Sequence, residues 1–130
     1  MGVFDHVAFQ VSDMEAAIQF YVGKLGFSQS FRGVNEEQAE EYAFFTCGDL
    51  RLELIRDLNQ AGFARPEPNP PYCPHLALET EDLQQTLAQL EQAGVPILRG
   101  PLEVPGEETW VYFADPDNNV LEYIQWYQKK

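Results

Sequence analysis

The chain has 130 residues, a length that suits one domain or two small modules sharing a core. Hydrophobic residues make up 45% and aromatics 13%, too many for a disordered chain. With 21 acidic residues against 8 basic ones the net charge is −13, which argues against a nucleic-acid-binding surface and against docking on anionic lipid.

No apolar run approaches the ~20 residues that span a bilayer. The start, Met1-Gly2-Val3-Phe4-Asp5-His6, lacks the charged and apolar regions of a signal peptide. Cys47 and Cys73 make neither a disulfide framework nor a CxxC pair. A cytoplasmic location is therefore expected, with both thiols as small, partly buried side chains.

In chain order, residues 4–11 alternate as a strand. Ser12-Asp13-Met14-Glu15 reads as a capping box. Met14, Ala17, Ile18, Tyr21 and Leu25 then fall at helical spacing, and Gly26 stands where a C-terminal cap belongs. Strands follow at 27–33, 41–47 and 50–56, the last two joined by the tight-turn pair Gly48-Asp49. Between 57 and 74, Pro66, Pro68, Pro70, Pro71 and Pro74 favour an extended, semi-rigid connection.

The pattern then repeats. Residues 73–80 alternate as a strand, Asp82 can cap a helix with the stripe Leu83, Leu87 and Leu90, and Gly94 and Pro96 end it. Strands follow at 95–100, 108–114 and 120–126, the last two joined by Asp115-Pro116-Asp117-Asn118-Asn119. The fold class read from this order is α+β. Two tandem βαβββ modules are expected within a single domain, 1–130: module one over 1–57, a linker over 58–73 and module two over 74–130.

The repeat also matches on polar residues. His6 and His75 are 69 residues apart, and so are Glu53 and Glu122. These are the chain's 2 histidines. Each half thus holds one His in its first strand and one Glu in the middle of its apolar last strand. A carboxylate there is expensive to bury without a cation or a donor. Strand parity puts His6, Glu53 and His75 opposite the all-apolar faces that would seat the helices. Both faces of the Glu122 strand are apolar, so parity leaves its direction open. Two imidazoles and two carboxylates meeting at one point would make a divalent-metal site, and the donor types suit Zn, Ni, Co, Fe or Mn without choosing among them. Four protein ligands leave open positions on an octahedral ion, a catalytic arrangement.

Paired modules with this His and Glu placement resemble the vicinal oxygen chelate superfamily, which includes glyoxalase I, methylmalonyl-CoA epimerase, extradiol dioxygenases, and fosfomycin and bleomycin resistance proteins. The resemblance rests on Phe4-Asp5-His6-Val7-Ala8-Phe9, Phe20-Tyr21 with Leu25-Gly26-Phe27, Pro74-His75-Leu76-Ala77-Leu78, and the stretch from Phe113 to Glu122. It implies a curved mixed β-sheet around a metal cleft, helices on the outer face, and a homodimer. It implies that His6, Glu53, His75 and Glu122 hold one divalent metal per site. It implies a glyoxalase I-like lyase or isomerase reaction on a small α-oxo or α-hydroxycarbonyl substrate of hemithioacetal type, a thiol adduct included. There a metal-stabilised enediolate forms, Glu122 moves the proton, and Glu53 is its catalytic counterpart. The alternatives are an epimerase, a fosfomycin-resistance-like thiol transferase, or a non-catalytic small-ligand-binding member. Gln10, the stretch Arg56-Asp57-Leu58-Asn59-Gln60 and the acidic loop Val104-Pro105-Gly106-Glu107-Glu108 depart from small glyoxalase I sequences and weigh against glutathione itself.

Arg32, Arg51, Arg56 and Arg99 lie near the expected cleft strands. Each reads either as an anion handle or as a surface or ion-paired Arg. Tyr42, Phe44, Trp110 and Tyr112 read either as pocket walls or as core. The run Glu36-Glu37-Gln38-Ala39-Glu40-Glu41 is expected to be a solvated loop or helix start.

Overall fold

A computed structural model describes all residues, 1–130. The chain divides into two compact units, Met1–Arg65 and Pro66–Lys130. The first carries β1 (Val7–Gln10), α1 (Met14–Ile18), β2 (Ser28–Asn35), β3 (Glu40–Cys47) and β4 (Leu50–Asp57). The second carries β5 (His75–Glu79), α2 (Leu83–Gln92), β6 (Ile97–Val104), β7 (Glu108–Ala114) and β8 (Val120–Trp126). Each unit is the expected βαβββ module. Its four strands form one mixed sheet, in the order β1-β4-β3-β2 or β5-β8-β7-β6. The first strand pairs parallel to the last, and the other pairs are antiparallel.

Both helices start on an aspartate. The Asp13 carboxylate accepts from the Ala16 amide at 3.1 Å, and that of Asp82 accepts from the Gln85 amide at 3.1 Å. The cap of α1 is therefore Asp13 and not Ser12. Asp13 is the residue 69 before Asp82, so the repeat extends to the caps. α2 ends as expected at Gly94, whose φ of 74° suits glycine. The Val95 amide reaches back to the Leu90 carbonyl and the Gly94 amide to that of Glu91.

α1 does not keep ordinary spacing. It runs on as wide π turns over Gln19–Lys24, where the Leu25 amide bonds the Phe20 carbonyl five residues back. The extra residue in the turn buries the neighbours Phe20 and Tyr21 together, while Ile18 and Leu25 stay half-buried. This corrects the expected stripe at Ile18 and Leu25. Tyr21 is fully buried, 5.7 Å from the Phe27 ring and 6.4 Å from the Phe45 ring.

Each core lies between the apolar face of a sheet and its helix. Ala43, Phe45, Leu52 and Leu54 are fully buried in the first unit, and Val111, Phe113 and Leu121 in the second. At about 25 cal/mol per Å² of apolar area, each such Leu or Phe side chain contributes roughly 1.5–3 kcal/mol on burial. The Asp115–Asn119 turn stores its polar groups inside. The Asp115 carboxylate accepts from the amides of Asp117 and Asn119 and from the Asn119 side chain, at 2.8–2.9 Å.

The ion pairs decide between the two readings of Arg32 and Arg56 in favour of paired side chains, and they correct that of Glu41. Arg32 and Arg56 do not serve the sheet face that carries Glu53. Arg32 lies opposite the buried Ala43, and both guanidiniums bond the Glu41 carboxylate, at 2.9 and 3.0 Å. Glu41, from the acidic run, is thus a well-covered β3 residue and not part of a solvated loop. Both cysteines are exposed rather than partly buried.

Burial pushes the Glu41 carboxyl up, but the hydrogen bonds from Arg56 and Arg32 overcome it and hold it below the ordinary carboxylate range. A lowered carboxyl lends stability that is complete above its unfolded-state pKa and is lost as pH falls through the folded one. Glu41→Gln is therefore expected to cost about 1–2 kcal/mol near neutral pH. Denaturant titrations from pH 7 to 3 should show the gap to the parent closing as pH falls. Asp13→Ala should cost about 1 kcal/mol by the same measurement, through the lost cap.

Candidate metal centre

The site-bearing face of each sheet is set by its parallel pair. In the first unit Ala8 stands opposite Glu53, and in the second Ala77 stands opposite Glu122. His6 and His75 each lie two residues before that alanine, so they share its face. Register thus settles what parity left open: Glu122 points to the same side as His75. Leu121, opposite Leu76, turns to the helix.

In both units the Nε2 atom of the histidine meets the glutamate. His6 Nε2 is 3.2 Å from Glu53 Oε1, and His75 Nε2 is 2.8 Å from Glu122 Oε1. The opposite ring nitrogen is held from behind. His6 Nδ1 is 2.7 Å from Asp5 Oδ2, and Asp5 also takes Arg51 at 2.8 Å. His75 Nδ1 is 3.1 Å from the Tyr72 carbonyl, with the Cys73 thiol 4.0 Å away. A carbonyl only accepts, so the Tyr72 contact puts a proton on His75 Nδ1, and the 2.8 Å contact of Nε2 with Glu122 is made through a further proton, on the ring or on the carboxyl.

An aromatic ring flanks each pair. Phe44 lies opposite Glu53 and Tyr112 opposite Glu122. His6 meets Phe44 edge-on at 5.2 Å and 70°, and His75 meets Tyr112 at 5.3 Å and 69°. The Arg51 guanidinium covers Phe44 at 5.2 Å. Tyr72 packs on Tyr112 at 4.9 Å. So Phe44 and Tyr112 lie beside the two His–Glu pairs rather than in the helix-side cores, while Arg51 is paired with Asp5.

The environments of the two carboxylates differ. Glu122 is buried, with 7% of its surface exposed. Burial pushes its carboxyl up, His75 opposes this, and Glu108 adds to it. Burial also raises the Tyr112 hydroxyl, and Glu122 adds to that. Asp5 is lowered, first by its hydrogen bond with His6 and then by Arg51.

Each pair offers one nitrogen and one oxygen donor of the kinds that suit a divalent cation. Two ligand atoms at about 2.0–2.2 Å from an ion, at right angles, are about 3 Å apart. Both His–Glu separations match that edge. An imidazole Nε2 with its Nδ1 held by an acceptor is the form that ligates. The structure joins His6 to Glu53 and His75 to Glu122, one pair in each unit. No three His, Cys, Asp or Glu side chains of the chain form a metal-holding cluster.

The family model for the Glyoxalase/Bleomycin resistance protein/Dioxygenase superfamily matches residues 3–123. The chain belongs to this superfamily. Among its relatives, the virulence protein STM3117 of Salmonella typhimurium is 29% identical over 94% of this chain and 83% of that one. The metallothiol transferase FosB of Staphylococcus epidermidis is 31% identical over 91% of this chain and 78% of that one. The solved glyoxalase family protein from Enterococcus faecalis superposes with a TM-score of 0.77 at 26% identity, covering 94% of this chain and 96% of that one.

The superfamily model ends at residue 123, one past Glu122, so it spans both His–Glu pairs. The sequence left two supports of the histidines unseen. Asp5 could have been noticed as the carboxylate beside His6. Tyr72 acts through a backbone carbonyl, and no residue type announces that. Arg99 stands opposite Tyr112 on the site-bearing face of this superfamily module. It is exposed and takes no part in any salt bridge of the structure.

The neutral His75 ring is expected to be the Nδ1–H tautomer. Long-range proton–nitrogen correlation spectra of nitrogen-labelled protein check this. A proton on Nε2 with a bare Nδ1 would contradict the Tyr72 contact.

Proposed function

We propose that His6, Glu53, His75 and Glu122 are the ligands for one divalent metal per site, and that the protein is a metal-dependent lyase or isomerase of glyoxalase I type. Its substrate is a small α-oxo or α-hydroxycarbonyl compound of hemithioacetal type. The observation that carries this reading is the doubled pair: the same Nε2-to-carboxylate contact recurs at both ends of a 69-residue shift, with an aromatic ring edge-on to the histidine in each module. A core histidine has no reason to recur with its glutamate in this way. Bound there, the ion supplies Lewis-acid stabilisation of negative charge developing on substrate oxygens.

The chain's own residues do the rest. Asp5 and the Tyr72 carbonyl hold the imidazoles in the ligating orientation. Glu122 is the proton-transfer residue, because its burial raises its carboxyl toward the range where a base both accepts and returns a proton. Glu53 is its counterpart in the other module. We further propose a cytoplasmic homodimer.

A second reading keeps the metal and changes the chemistry to thiol transfer onto an anionic epoxide. Two observations favour it: the likeness to metallothiol transferases and the unpaired Arg99 on the Glu122 face. An Arg free of carboxylates, in a chain of net charge −13, is suited to a phosphonate or carboxylate.

Elemental analysis of purified protein, after chelation and reloading with Zn, Ni, Co, Mn or Fe, tests the centre. About one ion per chain is expected, with a rise in melting temperature on loading. His6→Ala and Glu53→Ala should lose most of the metal. Unchanged content in both would remove the first pair from the site. Glu122→Gln should lower turnover of a hemithioacetal by about 10²–10⁴-fold while the fold is kept, judged by circular dichroism. Full activity in that variant would end its role as base. Turnover of a phosphonate epoxide with a thiol, absent for hemithioacetals and lost in Arg99→Ala, would select the second reading.

A further inference from the structure

The exposed residue Phe31 is out of place by simple strand alternation. Gln29 stands opposite Phe45, so an unbroken β2 would set Phe31 opposite Ala43, on the helix side. A bulge between Gln29 and Phe31 shifts the register by one, and the ring lands opposite Phe44. A one-residue shift moves a side chain to the other face of the sheet. The bulge is pinned, since the displaced Ser30 hydroxyl donates to the Phe44 carbonyl at 3.1 Å.

The re-aimed ring stacks on Phe44 at 4.8 Å and 19°. Phe44 is the ring that His6 meets edge-on, so the stack adjoins the His6–Glu53 pair. Tyr42 meets both rings edge-on, 6.1 Å from Phe31 at 77° and 6.5 Å from Phe44 at 76°. It folds over Gly33, where an added Cβ would come within 2.6 Å of the tyrosine oxygen. Phe31 nevertheless stays 48% exposed.

The second module answers this position differently. Its β6 breaks register between Ile97 and Arg99, and that bulge sets Arg99 opposite Tyr112, the ring equivalent to Phe44. Features the module needs in order to fold recur in both halves, such as the Asp13 and Asp82 caps. The bulge recurs, but the side chain it presents changes from a cation to a phenyl ring. The fold therefore requires neither.

We propose that Phe31 and Phe44 form a stacking shelf for a planar, apolar arm of the substrate, an aryl or conjugated group, and that Phe31 sets this specificity. The inference rests on the reading that this face carries the reacting centre. The shelf is of small-ligand size, since a half-exposed phenylalanine offers on the order of 100 Å², a small part of the roughly 800 Å² per partner of a stable interface.

The test uses uncharged probes, so that its outcome is independent of metal and of Arg99. The full-length protein, metal-free and metal-loaded, is titrated with 2-naphthol and with its saturated counterpart decahydro-2-naphthol. Aromatic proton spectra give the affinities and the ring-current shifts at Phe31 and Phe44. Naphthol should bind about two- to ten-fold tighter than the saturated alcohol, with or without metal. Phe31→Ala and Phe31→Leu should both erase that preference, and Phe31→Tyr should keep it. Equal affinity for the two probes, or a preference that survives Phe31→Ala, overturns the proposal. So does a dimer by sedimentation that Phe31→Ala converts to monomer, since a second copy would then cover the shelf. Failure of the metal reading registers separately, as absent metal uptake with the naphthol preference intact.

Discussion

The parallel pairing of the first strand of each module with its last is the constraint on which the site depends. It sets an alanine opposite the glutamate and puts the histidine on the same face, two residues earlier. A slip by one residue would turn Glu53 and Glu122 into the helix-packed cores, where an unpaired carboxylate costs several kcal/mol. The same slip would expose Leu52, Leu54 and Leu121. Core packing and site geometry therefore enforce one register.

The site is buttressed by groups that do not themselves face the Nε2 atoms. Arg51 holds Asp5, and Asp5 holds the His6 ring from behind. Tyr72 does this for His75 with its carbonyl and packs its own ring on Tyr112. The two modules reach the same imidazole orientation by different chemistry, one ionic and exposed, the other neutral and more covered. Salt weakens the first more than the second, because exposed charges are screened. Asymmetry also marks the carboxylates: Glu122 is the more deeply buried, and its carboxyl is raised.

The duplicated module separates what folding needs from what it does not. Caps, core phenylalanines and the His–Glu–aromatic set appear twice. The Arg32–Glu41–Arg56 network and the Phe31 stack appear once. The former is a structural device on the helix side of the first sheet. The latter lies on the Glu53 side, beside the candidate centre.

Much of this was legible in the sequence. Alternation, capping residues and turn pairs carry local backbone preferences, so the βαβββ order, the helix ends and the 69-residue repeat were readable. So were the four candidate ligands, because a glutamate in an apolar strand is conspicuous. Other features waited for the tertiary structure. The π turns that bury Phe20 beside Tyr21 answer to packing against Phe27 and Phe45, not to helical periodicity. Asp13 rather than Ser12 caps α1 because cap choice depends on where the backbone turns. The Glu122 strand is apolar on both sides, so only its pairing with Ala77 gives the carboxylate a direction. Glu41 looked solvated until two arginines from neighbouring strands were found on it. Phe31 reached its face through a bulge that alternation cannot foresee. A sequence determines its local preferences residue by residue, but register, bulges and ion pairs are set between strands distant along the chain, where only the folded structure brings the partners together.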